Sequence, residues 1–183
     1  IIMTRWCMGD LAGYILDNYD NVLRFIRLVT ASEGDGISQR HITLSTCGIV
    51  PGIYDLADEE LSINLAVSLH SPTDEARSKI MPVNRKYSLD KLMTACRDYT
   101  KKTGRRITFE YAVIENVNSS SEDAKRLAEL FRGMISHINL IGVNDVKERD
   151  YSSSGKHVEK FKNELIKLGV NATVRRKLGA DID

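Results

Sequence analysis

Ser45 and Thr46 close an apolar run at residues 41–45, and Ser68, Leu69 and His70 close a second one at 63–69. Parallel α/β folds put their ligands and chemistry at the carboxyl ends of buried strands, where these hydroxyls and this imidazole fall. Two neighbouring hydroxyls suit a ligand's carboxylate or ribose; they serve equally well to cap loop and helix amides. Strand alternation sends Ser68 and His70 to one side and Leu69 to the other. His70 is then either a ligand-facing group that titrates near neutrality or a hydrogen-bonded structural ring. Glu110, in the alternating run Arg106-Ile107-Thr108-Phe109-Glu110-Tyr111, is a candidate inward carboxylate. A buried carboxylate requires a partner, an arginine or a hydroxyl. With His70 as acid and Glu110 as base, the chain also reads as an unrelated enzyme of the TIM-barrel kind.

The elements that must hold these groups alternate. Apolar runs rich in Ile, Val and Leu recur near residues 1–8, 41–45, 63–69, 106–113, 137–143 and 171–175, and segments with helical spacing fill 20–30, 51–59, 89–102, 121–134 and 156–168. Asp20, Ser88 and Ser121 supply start signals, and Gly104 and Gly169 supply stops. Leu89, Leu92, Met93, Cys96 and Tyr99 follow the three-and-four spacing of a helix lying on a sheet. Such repetition predicts an α/β fold of parallel strands with right-handed crossovers. Periodicity leaves open whether the strands form part of a barrel or a doubly wound sheet.

The 183 residues carry no linker or repeat and are read as one domain, 1–183. Hydrophobic content of 42%, charged content of 28% and the lack of a long apolar run predict a soluble, cytoplasmic chain without a membrane span. Cys7, Cys47 and Cys96 are odd in number and far apart, so they make neither a disulfide framework nor a zinc motif. The net charge of +1 confines any polyanion contact to local patches. Arg77, Lys79, Arg85, Lys86, Lys147, Arg149, Arg175, Arg176 and Lys177 all follow strands and compose a candidate basic rim, interleaved with Asp74, Glu75 and Glu148.

From about residue 17 to 183 the chain resembles the bacterial radical-SAM enzymes that methylate C2 of adenosine in 23S ribosomal RNA and transfer RNA. The resemblance lies in Asp17-Asn18-Tyr19-Asp20-Asn21, in the run from His41 through Ser45-Thr46-Cys47-Gly48 to Pro51, in Ser68-Leu69-His70-Ser71-Pro72 and in Asn139-Leu140-Ile141. It implies a partial (β/α) barrel whose first strand is missing here, rRNA and tRNA as partners on the basic rim, and S-adenosylmethionine (SAM) as cofactor. By the same resemblance SAM contacts Ser45, Ser68, Leu69, His70 and Asn144, with Gly9 and Asp10 in place of the family's Gly-Glu-Pro turn. Around Asn144, Gly142 and Asp145 replace two prolines of the family pattern.

The family's [4Fe-4S] cluster needs a Cys-x3-Cys-x2-Cys run, which this sequence lacks, and its methyl-carrying cysteine follows an Asp-Ile-Asp motif that here is Asp181-Ile182-Asp183. No cluster is therefore expected in this chain. The expectation is a fragment or remodelled form of such an enzyme, inactive alone; a noncatalytic or engineered barrel scaffold without ligand is the alternative. A strand at residues 1–8 without its preceding partner is expected to self-associate or to be capped by residues 11–16.

Overall fold

The structure, a computed structural model, describes residues 2–3, 19–143 and 153–175. In order these form β1 (Ile2–Met3), α1 (Tyr19–Thr30), β2 (Thr43–Thr46), α2 (Val50–Asp58), β3 (Asn64–Ser68), α3 (Asp74–Ile80), α4 (Leu89–Thr103), β4 (Ile107–Val113), α5 (Ser121–Phe131), β5 (Ser136–Gly142), α6 (Gly155–Lys167) and β6 (Ala172–Val174). Of the strand predicted over 1–8, Ile2–Met3 is described; the predicted cap at 11–16 lies outside the described residues.

The strands form one parallel sheet in the order β1-β2-β3-β4-β5-β6. That order answers what periodicity left open. A doubly wound sheet reverses direction at a switch point and carries helices on both faces, whereas an unbroken order with right-handed crossovers puts every helix on one side, as in a barrel wall. Among the described residues β1 and β6 do not pair with each other, so the wall is open.

The two faces separate by side-chain parity. On the helix side, Leu65, Val67, Ile107, Phe109, Tyr111, Val113, Ile138 and Leu140 are buried in one core with Leu92, Cys96 and Tyr99 of α4, Leu127 of α5 and Phe161 of α6. Phe109 stacks on Phe131 with ring centroids 4.7 Å apart, and Tyr111 lies 6.0 Å from Phe161. The opposite parity is polar. In-register pairing makes one row of Ser45, Ala66, Thr108 and His137, and the next of Ser68, Glu110, Asn139 and Thr173.

Local signals set most helix ends. Ser88 caps α4, and Gly104 closes it at φ +65°, a left-handed conformation natural to glycine. For α5 the cap is Ser120 rather than Ser121, in a reciprocal capping box with Asp123. Thr73 caps α3, a helix the sequence reading did not contain. Its seven residues have no apolar stripe, and the one that is buried is Arg77. No helix among the described residues is long and apolar enough to cross a membrane.

Candidate functional site

Ser45 and Thr46, adjacent at the end of β2, have different fates. Thr46 Oγ1 accepts from the amides of Gly48 (3.2 Å) and Ile49 (3.4 Å), the loop-capping role open to both hydroxyls. Ser45 Oγ is buried with no hydrogen-bond partner among the described residues. A buried hydroxyl left unpaired costs about 1–3 kcal/mol. Such an atom, at a strand end on the polar face, is a ready donor and acceptor for a ligand.

Ser68 sits one strand over, half-buried in the row with Glu110, whose side chain is 16% exposed and lies 4.0 Å from Arg175 Nη1. That distance marks a loose ion pair spanning from β4 to the end of β6. Leu69 turns its side chain into the core; its N–H donates to Glu110 O (3.0 Å) and its carbonyl accepts from Ser71 N (2.8 Å) and Arg77 Nε (3.1 Å). Its main-chain polar atoms are thus bonded within the protein and its side chain lies in the core.

His70 has φ +56°, unusual for a residue with a side chain, and is held there from two directions. Its Nδ1 accepts from Ala112 N (3.0 Å), and its carbonyl accepts from Asn118 Nδ2 (2.8 Å). Burial, and secondarily the charge of Arg77, pushes the imidazole down to about 4, so the ring is neutral at pH 7 with its proton on Nε2. His70 is therefore built into the strand ends through Nδ1, leaving Nε2–H as the edge that can meet a ligand.

Arg77 corrects the predicted rim. It is fully buried, so it offers nothing to a phosphate; its guanidinium instead binds protein oxygens at the ends of β2 and β3. Lys79 is exposed and pairs with Glu75 at 3.0 Å, Arg85 is exposed, and Lys86 lies 5.5 Å above the Tyr87 ring. Gly9, Asp10, Asn144, Lys147, Arg149, Arg176 and Lys177 lie outside the described residues.

Two asparagines were not foreseen. Asn118, 1% exposed, donates to the carbonyls of His70 and Ala112 and accepts from Ile114 N, while its own carbonyl accepts from Tyr111 Oη at 2.6 Å. Asn84 joins Arg77 Nη1 (2.8 Å) to Asp74 Oδ1 (2.8 Å). In sequence both read as ordinary loop residues, since an amide's burial depends on which carbonyls surround it.

A cavity of about 70 Å³ is lined by Tyr19, Leu44, Ser45, Ile53 and Leu56 among others. Drug-sized ligands occupy roughly 300–1,000 Å³. A cavity of this size is too small for a nucleoside-sized molecule.

No family model matches the chain. It is 54% identical over 173 residues to a probable dual-specificity RNA methyltransferase RlmN of Clostridium botulinum (strain Eklund 17B / Type B), covering 94% of this chain and 50% of that protein. A protein of the same description from Clostridium perfringens (strain 13 / Type A) is 53% identical, again over 94% of this chain and 50% of its own length. Over the half of those proteins that it spans, the chain belongs to the RlmN family of radical-SAM methyltransferases. The crystal structure of a radical SAM methyltransferase from Sphaerobacter thermophilus superposes with a TM-score of 0.86 at 42% identity, over 92% of this chain and 50% of that one. A domain of pyruvate-formate lyase-activating enzyme from Bacteroides vulgatus, at 16% identity and a TM-score of 0.66, shares the fold alone. The barrel-like wall of parallel strands is thus the radical-SAM fold. In its RlmN-family setting the polar face is the inside of a partial barrel.

The described residues at these strand ends have the chemistry to hold SAM. An unpartnered Ser45 hydroxyl, the half-buried Ser68 and the Nε2–H of His70 are neutral hydrogen-bonding groups fit for an amino acid or a ribose. By contrast, burial pushes the Cys96 thiol up to about 12, and the described residues hold no group of three or more metal-ligating side chains.

Proposed function

We propose that this chain is the SAM-binding barrel wall of a radical-SAM enzyme that methylates adenosine C2 in ribosomal and transfer RNA, working in the cytoplasm. The observation that carries this reading is Ser45 Oγ, a buried hydroxyl without a partner among the described residues, on the inner face one strand away from Ser68. Ser45 and Ser68 bind the cofactor by hydrogen bonds and fix its direction along the strand ends. His70 adds Nε2–H, and Gly9, Asp10 and Asn144 complete the set from the segments outside the described residues. SAM, when bound, supplies a methyl group. The protein's own part is to orient that ligand on a face whose row of Ala66, Thr108 and His137 is buried to half-buried.

RNA is the substrate in this reading, met by Lys79, Arg85, Lys86 and Arg175 together with Lys147, Arg149, Arg176 and Lys177. The chain alone does not turn over, because neither Cys47 nor Cys96 is placed to hold a cluster, and Cys7 cannot do so by itself.

Calorimetric titration of the chain with SAM tests the proposal. Weak binding that is lost in Ser45→Ala and in Ser68→Leu supports it. Absence of binding, or binding that ignores both substitutions, leaves a barrel scaffold without ligand.

A further inference from the structure

We infer that Arg77 is the positioning residue of the cofactor wall: its guanidinium sets the spacing between the ends of β2 and β3, and so between Ser45 and Ser68. This inference rests on the SAM-binding reading above.

The register of β2 and β3 ends at Thr46↔Val67. The next two residues, Cys47 and Ser68, are where the strands part. There a single Arg77 nitrogen, Nη2, donates to both Cys47 O (2.8 Å) and Ser68 O (3.0 Å), replacing the main-chain pairing that stops one residue earlier. Nε reaches Leu69 O at 3.1 Å, and Nη1 reaches Asn84 Oδ1 at 2.8 Å. Four contacts fan out from one rigid plane to two strands and a loop. An ammonium group, with three donors at one point, cannot span them.

The burial of this charge also marks it as more than a surface cation drawn inward. Arg77 is 0% exposed, and its hydrogen-bond partners among the described residues are carbonyl and amide oxygens rather than carboxylates. Its compensation comes from carbonyl dipoles at the strand ends and, through Asn84 Nδ2, from Asp74 Oδ1, which in turn accepts the first amide of α4, Leu89 N, at 2.7 Å. The chain of contacts runs from the starts of two helices to the two strand ends beneath the proposed ligand. A core arginine of this kind would be dispensable if it only filled space; here Nη2 and Nε fix the main-chain oxygens of Cys47, Ser68 and Leu69, at the strand ends that carry Ser45 and Ser68, while Nη1 anchors the guanidinium to Asn84. Moving those carbonyls changes the separation of the two serines, and preorganised spacing is what a two-point contact to a small ligand depends on.

The test compares Arg77→Lys with Val158→Ala, a core truncation on α6 remote from the strand ends. Three quantities are read: thermal midpoint, SAM affinity by calorimetry, and amide exchange at Gly48, Ile49, Leu69 and Ser71. Both variants are expected to lower the midpoint. In Arg77→Lys the SAM affinity falls at least tenfold and the four amides exchange at least tenfold faster than core amides of β4; in Val158→Ala neither change occurs. Asn84→Ala, which removes one contact and leaves three, is the milder variant should the lysine protein not fold, with intermediate effects on both readouts. Equal loss of affinity in Arg77→Lys and Val158→Ala overturns the inference, as does unchanged local exchange in both Arg77→Lys and Asn84→Ala. Should the unmodified chain bind no SAM, the SAM-binding reading fails, while the exchange data still decide whether Arg77 holds the strand ends.

Discussion

The imidazole of His70 replaces a strand residue: Ala112 N–H, which the shorter β3 leaves without a main-chain acceptor, donates to His70 Nδ1 at 3.0 Å. The strand pairing that ends at Ser68↔Glu110 is thus extended by a side chain. For this the ring must stay neutral, which ties the local fold to pH.

Above pH 6.5 His70 is neutral in both folded and unfolded chains and contributes no pH dependence. Between 6.5 and about 4 the unfolded chain takes up a proton that the folded one refuses, so stability falls as pH falls through that window. The full displacement is worth on the order of 3 kcal/mol. Urea denaturation at a series of pH values should show this slope in the natural chain. Its loss is expected in His70→Asn, asparagine being a residue that tolerates positive φ. A parallel pH response in the two proteins would remove His70 as the source.

Ser45→Ala should act in opposite directions on two measurements. Removing an unpaired buried hydroxyl relieves part of a penalty of about 1–3 kcal/mol, so the thermal midpoint of the unliganded protein rises. Affinity for SAM falls in the same variant. A lower midpoint would show that Ser45 already has a structural partner.

Asn118→Ala removes an amide that binds His70 O, Ala112 O and Ile114 N at once, leaving three buried main-chain groups unsatisfied. A loss of about 3 kcal/mol is expected by chemical denaturation. Hydrogen exchange should locate the damage at residues 112–114 rather than in α1 or α2.

Gly48→Ala strains a backbone at φ +101° and sets a methyl carbon 3.1 Å from the Leu92 side chain and 3.2 Å from Arg77 Nη2. A destabilisation of about 1–3 kcal/mol follows. Because the methyl presses on Arg77, the same variant should weaken SAM binding. Gly104→Ala, where nothing lies within 4 Å of the added carbon, should leave binding unchanged.

The six strands and the helices α1, α2, α4, α5 and α6 were legible because apolar spacing and caps such as Ser88 and Gly104 are local signals. Helix α3 was not: its buried face is one arginine, and nothing in the sequence says that a charge will find three carbonyls. The same limit applies to the candidate site. Ser45, Ser68 and His70 could be placed at strand ends by pattern, but the division of labour between Ser45 and Thr46, the commitment of Leu69 and the hub at Asn118 depend on which carbonyls and amides converge in space. Arg77 shows the limit most sharply. As a letter in a loop it belonged with the phosphate-binding cations, and only packing reveals that it never meets solvent.

The unbroken strand order bears on how the chain reaches its native state. Each strand finds its partner at the next strand in sequence, so no pairing waits for the two ends of the chain to meet, and each crossover closes a loop of modest length at a modest entropic cost. Folding can therefore grow outward from β3, β4 and β5, adding one strand and its helix at a time to a template that already exists. A terminal unit that frays takes with it only its own share of the core, and the residues around Arg77 and Asn118, toward the middle of the wall, are the last to be released.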